Sequence, residues 1–128
     1  MSTHWHDNTP IYRQLKERVL AMVLDNVLQA GDALPSVREV SAEFSLNPIT
    51  VSKAYQELVD DGLVEKRRGI GMYVTDGARD ALLARERERF LSEEWPAMLE
   101  RATRLELDLA ALLNGASRSI GKKPGASL

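Results

Sequence analysis

Residues 47–61 show the clearest pattern of apolar and polar positions in the chain, at the spacing of an α-helix. Asn47 suits the N-cap because its side-chain oxygen can accept from the free amides of the first turn. Pro48 suits the first helical position, where a missing N–H costs nothing. Gly62 ends the segment. The predicted buried face is Val51, Ala54, Tyr55, Leu58 and Val59, which leaves Ile49, Thr50, Ser52, Lys53 and Gln56 pointing outward near the N-terminal end.

Two more helices are predicted before this one. Thr9 and Pro10 open the first, and Asn26 is expected to adopt a left-handed conformation where its apolar pattern ends. Ser36 caps the second, and Glu39 three residues later completes a capping box. A tight turn at residues 45–47 then leads to the next helix, so the pair is predicted to be a helix-turn-helix. The inward-facing residues are Ile11, Leu15, Val19, Met22 and Val23 in the first helix and Val37, Val40 and Phe44 in the second.

After Gly62 the pattern becomes that of strands. Residues 63–67 and 72–74 are predicted to pair as a hairpin through the turn at residues 68–71. The hairpin makes residues 9–75 a winged helix-turn-helix domain. Three cations cluster at the wing, where they can lie along phosphates or in the minor groove of DNA. They are Lys66, Arg67 and Arg68.

Residues 76–113 are predicted to form two helices, with Pro96 kinking or restarting the helical region. The second carries an apolar stripe at alternating steps of four and three residues. The winged domain is complete without these helices, so their apolar residues need cover. Packing against the first helix of the same chain is one interpretation, and a homodimer interface is the favoured one. The predicted dimer residues are Leu91, Trp95, Met98, Leu105, Leu109 and Leu112.

Composition narrows the class of protein. The formal charge is −2, and there are no cysteines, which fits a reducing compartment. We find no signal peptide and no long apolar run, so a cytoplasmic protein without a membrane partner is expected. His4 and His6 lack a third metal ligand, and no catalytic set of residues is evident, so we expect no metal, no cofactor and no enzyme. Residues 1–8 and 114–128 are predicted to be a loose tail and a disordered tail.

The charges of the predicted winged domain are segregated by sign. Between Gly31 and Thr75, five cations are outnumbered by seven anions, so the domain is not basic overall. The cations lie on the second helix, the third helix and the wing, whereas the anions lie mostly at helix C-terminal ends or on predicted outer faces. This segregation, and not net charge, favours a nucleic-acid partner.

The arrangement resembles the GntR family of bacterial transcriptional regulators. Matching segments are Pro10-Ile11-Tyr12, Gly31-Asp32, residues 34–39, residues 47–55, and residues 61–64 with 68–74. The short C-terminal region is similar to that of the YtrA subfamily, whose members pair through helices. The resemblance implies that Arg38, the start of the third helix, and Arg68 with Gly69 at the wing contact DNA. One departure from many relatives is Pro48-Ile49, where they carry arginine or serine.

These observations predict a homodimeric transcriptional repressor that binds a palindromic operator in double-stranded DNA. A winged-helix protein-interaction or scaffold module without DNA binding is the alternative. Whether a small-molecule effector binds between the C-terminal helices is left open, although no convergent polar pocket is evident. The predicted DNA-binding residues are Ser36, Arg38, Asn47, Ile49, Thr50, Ser52, Lys53, Arg67, Arg68 and Gly69.

Overall fold

The computed structural model describes Trp5 and residues 8–119, with the backbone alone for residues 116–119. One compact unit ends at Leu83 and a second begins at Ala84. No helix in this part of the chain is long and apolar enough to cross a membrane. The elements in chain order are α1 (Ile11–Leu24), α2 (Val37–Phe44), α3 (Pro48–Asp60), β1 (Val64–Arg67), β2 (Gly71–Val74), α4 (Ala78–Arg89), a π-helical turn (Phe90–Glu94), α5 (Trp95–Arg104) and α6 (Leu109–Ser119).

The first unit is the winged helix-turn-helix that the sequence predicted. Helix α3 packs against α1, α2 and β1. Its predicted apolar face forms the centre of the core, because Val51, Ala54 and Leu58 are fully buried. Surrounding core residues come from every other element of the unit and from its loops: Leu15, Val19, Val23, Leu28, Leu34, Val40, Leu63, Val64, Val74, Ala78 and Leu82.

Local capping explains where the helices begin and end. The Ser36 hydroxyl accepts from the Glu39 amide at 3.0 Å, and the Asn47 side chain accepts from the Ile49 amide at 2.9 Å, so both predicted caps are confirmed. Asn26 has the expected positive φ of 62°. Helix α1 begins at Ile11, one residue later than predicted, with Pro10 as its N-cap.

The wing is a two-stranded antiparallel hairpin. Val64 pairs with Val74 and Arg67 with Gly71. Leu63 was predicted to start β1, but its amide donates to the Leu58 carbonyl oxygen and closes the end of α3 instead. A bridge from Ala33 to Tyr73 adds the segment before α2 to the other side of β2.

The C-terminal region departs from one expectation and agrees with another. Ala78 and Leu82 at the start of α4 lie buried in the core of the winged unit, so that unit extends beyond the predicted boundary at residue 75. The predicted restart at Pro96 agrees with the structure, because a π-helical turn ends at Glu94 and α5 begins at Trp95, with right-handed backbone angles at both residues. Proline is tolerated there because it stands in the first turn of α5.

A second interruption of the C-terminal helices, which the sequence did not predict, lies at residues 105–108. Glu106 has a φ of 55°, and the Leu107 amide donates to the Ala102 carbonyl oxygen, which ends α5. The Asp108 side chain then accepts from the Ala111 amide at 3.2 Å and caps α6. Helix α6 continues to Ser119, so residues 114–119 are helical and not part of a tail. The rest of the predicted tail, like His4 and His6, lies outside the described residues.

Trp5 departs from the predicted loose tail. Its ring meets the Phe44 ring edge-on, with the centroids 6.2 Å apart, and the Arg18 guanidinium lies 4.3 Å from the Trp5 centroid. No hydrophobic period is present in the sequence around Trp5. The contact depends on Phe44 of α2 and Arg18 of α1 both lying against Trp5, which no local pattern predicts.

Candidate nucleic-acid interface

A groove of about 680 Å³ lies between the start of α2, the exposed face of α3 and the wing. Four predicted site residues line it: Ser36, Ser52, Arg67 and Gly69. The structure therefore brings together parts of the predicted site that are far apart in sequence. Also lining the groove are Ala33, Leu34, Pro35, Val37, Glu39, Tyr55, Gln56, Lys66, Ile70, Gly71 and Met72.

The exposed face of α3 is a short stripe of residues at positions i, i+3 and i+7. Ile49, Ser52 and Gln56 make this stripe, and all three are exposed. The Gln56 side-chain amide donates to Asp60 Oδ1 at 3.0 Å, which holds the C-terminal end of the stripe in place. Gln56 was predicted to point outward but was not among the predicted site residues. Its i+7 spacing from Ile49 was the signal that could have included it.

Thr50 and Lys53 lie beside this stripe. Thr50 is partly buried. The Lys53 ammonium lies 4.0 Å from the centre of the Tyr12 ring, so a cation–π contact directs it toward α1. Lys53 remains an exposed cation on α3, but its resting position is beside α1.

The wing places its cations on two faces. Side chains alternate along a strand, so Lys66 shares the face of buried Val64, whereas Arg67 shares the opposite face with Glu65. Arg67 forms a 2.9 Å ion pair with Glu65 and lies 4.2 Å from the centre of the Tyr73 ring. The predicted site included Arg67 and left out Lys66, although the two-residue period from Val64 could have found it.

Arg38 and Arg68 are the least engaged predicted cations. Both are exposed, and neither guanidinium group forms an ion pair or a hydrogen bond in the described part of the chain. Arg38 lies in the first turn of α2 and Arg68 at the tip of the wing. Neither arginine lines the groove itself, although their chain neighbours Val37 and Gly69 do. Ser36 and Asn47, by contrast, use their side-chain oxygens as helix caps.

Tyr55 connects the floor of the groove to the start of α2. Its ring is 2% exposed, and its hydroxyl donates to the Pro35 carbonyl oxygen at 2.7 Å. Burial, reinforced by the negative charge of Glu39, raises the pKa of this hydroxyl to about 12. The sequence assigned Tyr55 only to the core. Its second role depends on a contact across 20 residues that no local pattern encodes.

Lys16 of α1 holds the other side of α3. Its ammonium lies 3.2 Å from Glu57 Oε1 and 2.9 Å from Asp61 Oδ2. Burial lowers the pKa of Lys16, but hydrogen bonds and the charges of the two carboxylates outweigh it, so the pKa is raised. Glu57 and Asp61, two of the seven anions of the domain, therefore contact α1 and do not line the groove.

The predicted dimer residues are mostly uncovered in the second unit. Leu91 is 64% exposed, Met98 55% and Leu112 51%. Leu105 is as exposed as Met98 and is the C-cap residue that follows α5. Trp95 and Leu109 are partly buried, and Trp95 stacks on Phe90 with 6.3 Å between ring centroids. Because α5 ends at Arg104, the predicted stripe is divided between α5 and α6.

No cluster of metal-ligating side chains stands out in the described residues. No group of three His, Cys, Asp or Glu side chains comes together among them. A smaller hollow of about 220 Å³ lies where α1 ends and α4 begins. The Arg79 guanidinium at its edge donates to the Leu24 carbonyl oxygen at 3.0 Å, which ties α4 to α1.

Comparison with known proteins places this geometry among bacterial regulators. Residues 11–74, from α1 to the end of β2, match the model of the gntR family of bacterial regulatory proteins. The HTH-type transcriptional repressor YtrA of Bacillus subtilis strain 168 is 42% identical over 76 residues, which are 59% of this chain and 58% of that protein. The matched part therefore spans little more than half of this relative.

Two solved structures extend the comparison. A transcriptional regulator from Oenococcus oeni aligns with a TM-score of 0.72 and 25% identity, over 93% of this chain and 98% of that chain. The N-terminal domain of AraR, in complex with a mutant of the operator ORR3, aligns with a TM-score of 0.52 and 26% identity. That match covers 55% of this chain and all of the other. The first match includes the C-terminal helical region, and the second covers a winged domain alone.

Proposed function

The chain belongs to the gntR family of bacterial regulatory proteins, and we propose that it is a homodimeric transcriptional repressor that binds a palindromic operator. The groove and its rim would contact the operator. In this assignment the start of α3 enters the major groove, and the wing tip approaches the neighbouring minor groove. Repression is proposed from the similarity to YtrA, which is named as a repressor.

The observation that carries this proposal is the exposed face of α3 and the cations that flank it. Ile49 and Ser52 are exposed, and the groove that Ser52 lines is also lined by the wing cations Lys66 and Arg67. Phosphate contacts position a protein on DNA, and contacts to base edges select the sequence. This surface offers both kinds of group within one unit, although the unit is not basic overall.

The homodimer is proposed from the second unit. Large apolar side chains on α5 and α6 are about half exposed, and such exposure on neighbouring helices marks an interaction surface. A second copy is the simplest cover. Two-fold symmetry would then present two copies of α3 to half-sites about 34–36 Å apart, or a multiple of that distance.

The test is selection of duplex DNA from a random library with the full chain, followed by fluorescence anisotropy. We expect a palindromic sequence to be enriched and to bind at least about a thousandfold more tightly than a shuffled duplex. Light scattering of the complex should give two chains per duplex. The Arg38→Ala/Arg68→Ala double variant should lose binding while it keeps its helical circular dichroism.

Absence of enrichment would contradict DNA recognition and favour the protein-interaction module. Enrichment of a sequence without a palindrome, bound by one chain, would contradict only the dimer. The two parts of the proposal can therefore fail separately.

A further inference from the structure

Ile49 is the most exposed large apolar side chain among the described residues of the winged unit. It is 76% exposed, and Ile70 at the wing tip follows at 70%. We propose that Ile49 reads a thymine in the operator by packing against the C5-methyl group in the major groove. This inference rests on the proposed function and adds the base and the chemical group that one residue selects.

The position of Ile49 carries the inference more than its exposure does. A single exposed apolar side chain is ordinary on a protein surface. Ile49, however, lies in the first turn of α3 and in line with Ser52 and Gln56, on the side opposite buried Val51 and Leu58. The N-terminal residues of a recognition helix are the ones that reach base edges. Ile49 therefore occupies the position where a readout side chain belongs.

Local contacts fix Ile49 before any DNA binds. Its amide donates to the Asn47 side chain at 2.9 Å, and Pro48 precedes it in the first turn. A β-branched side chain in a helix strongly prefers one χ1 rotamer, so the methyl groups of Ile49 have a defined direction. Little conformational entropy is lost when such a side chain packs against a base.

The two longest polar side chains of this part of α3 are already engaged. Gln56 is hydrogen-bonded to Asp60, and Lys53 lies over Tyr12. The leading end of the helix therefore presents the apolar Ile49 together with the short hydroxyl side chain of Ser52. In the major groove, the thymine methyl is the apolar group among the donors and acceptors that distinguish the base pairs. Ile49 fits that group and gives nothing to the polar edges of guanine or cytosine.

The experiment replaces thymine by uracil, one position at a time, in one half-site of the selected operator. This change removes only the methyl group and keeps the base pair. For the wild-type chain we expect one position where the substitution weakens binding about fourfold, the effect of one buried carbon group. For Ile49→Ala, the same substitution should have no effect, because its contact is already lost. Ile49→Val should keep part of the preference.

Val27→Ala is the control, because it shortens another exposed β-branched side chain that lies outside the groove. It should leave the uracil effect at that position unchanged. Alanine is the better helix former, so Ile49→Ala should remain folded. If the wild type tolerates uracil everywhere, or if Ile49→Ala shows the same uracil effect as the wild type, Ile49 does not read a methyl group. Specific binding in either case would leave the proposed function intact.

Discussion

The Tyr55 hydroxyl of α3 donates a 2.7 Å hydrogen bond to the carbonyl oxygen of Pro35, one residue before the cap of α2. This bond connects the two helices at the floor of the groove. It fixes the segment that leads to Ser36 and Arg38 relative to the exposed face of α3. A core tyrosine therefore also positions the proposed DNA-binding surface.

Tyr55→Phe should weaken this connection without emptying the core. The ring stays buried and only the hydroxyl is lost, so we expect the free energy of unfolding to fall by about 0.5–1.5 kcal/mol. Operator affinity should fall by more than stability alone explains, because the start of α2 is no longer held. Urea unfolding and anisotropy titration measure the two effects. An unchanged affinity would show that the rest of the core already holds Pro35 in place.

Alkaline pH gives a second prediction for the same residue. The pKa of Tyr55 is raised to about 12 by burial, above its ordinary value of 10.0. Between pH 10 and pH 12 the folded state therefore keeps a proton that the unfolded state releases. The resulting stabilisation of the folded state is complete below pH 10 and is lost as pH rises toward 12. Between those pH values the free energy of unfolding of the wild type should fall by up to about 1.4 kcal/mol per pH unit more than that of Tyr55→Phe. Parallel pH profiles of unfolding free energy would contradict this.

The winged unit could be predicted from the sequence because the signals that define it are local. The caps at Ser36 and Asn47 need only nearby residues, and the apolar face of α3 follows from helical spacing alone. Contacts between distant segments could not be read in this way. The bond from Tyr55 to Pro35 and the burial of Leu82 in the winged core both depend on the finished packing.

The C-terminal helices show where a periodic pattern misleads. Steps of four and three residues ran smoothly from Met98 to Leu112, so one helix was expected. The capping residue Asp108 stands within that run, and the backbone turns at Glu106. A hydrophobic period does not distinguish one long helix from two short ones with similar faces. Pro96, by contrast, was a reliable signal, because α5 begins at Trp95 with the proline in its first turn.

The wing cations should differ in their contribution to DNA binding. Arg68 is exposed at the tip, whereas Arg67 is held by Glu65 and lies over Tyr73. Arg68→Ala should therefore reduce the slope of log K against log salt concentration by about one. Arg67→Ala should change that slope less and mainly loosen the wing. Anisotropy titrations over a series of salt concentrations measure both, and equal slopes for the two variants would contradict the distinction.

Leu82 tests the revised boundary of the winged unit. It is fully buried, so Leu82→Ala should lower the free energy of unfolding by about 2–5 kcal/mol. Ile70→Ala removes the same number of carbon atoms from a 70% exposed side chain and should change stability by about 0.5 kcal/mol or less. Urea unfolding compares them directly. A small effect of Leu82→Ala would return the boundary to the predicted position at residue 75.

The proposed dimer interface makes the last prediction. In the single chain, the side chains of Met98 in α5 and Leu112 in α6 are about half exposed. Pairing of two chains would remove them from water. Met98→Glu or Leu112→Glu would bury an unpaired charge, so dimer affinity should fall at least about thirtyfold. Operator affinity should fall with it, since the second half-site loses its high effective concentration. Thr103→Glu adds the same charge at an exposed polar position of α5 and should stay dimeric. Analytical ultracentrifugation decides the matter: if Met98→Glu and Leu112→Glu sediment like the wild type at every concentration, the chains pair through another surface.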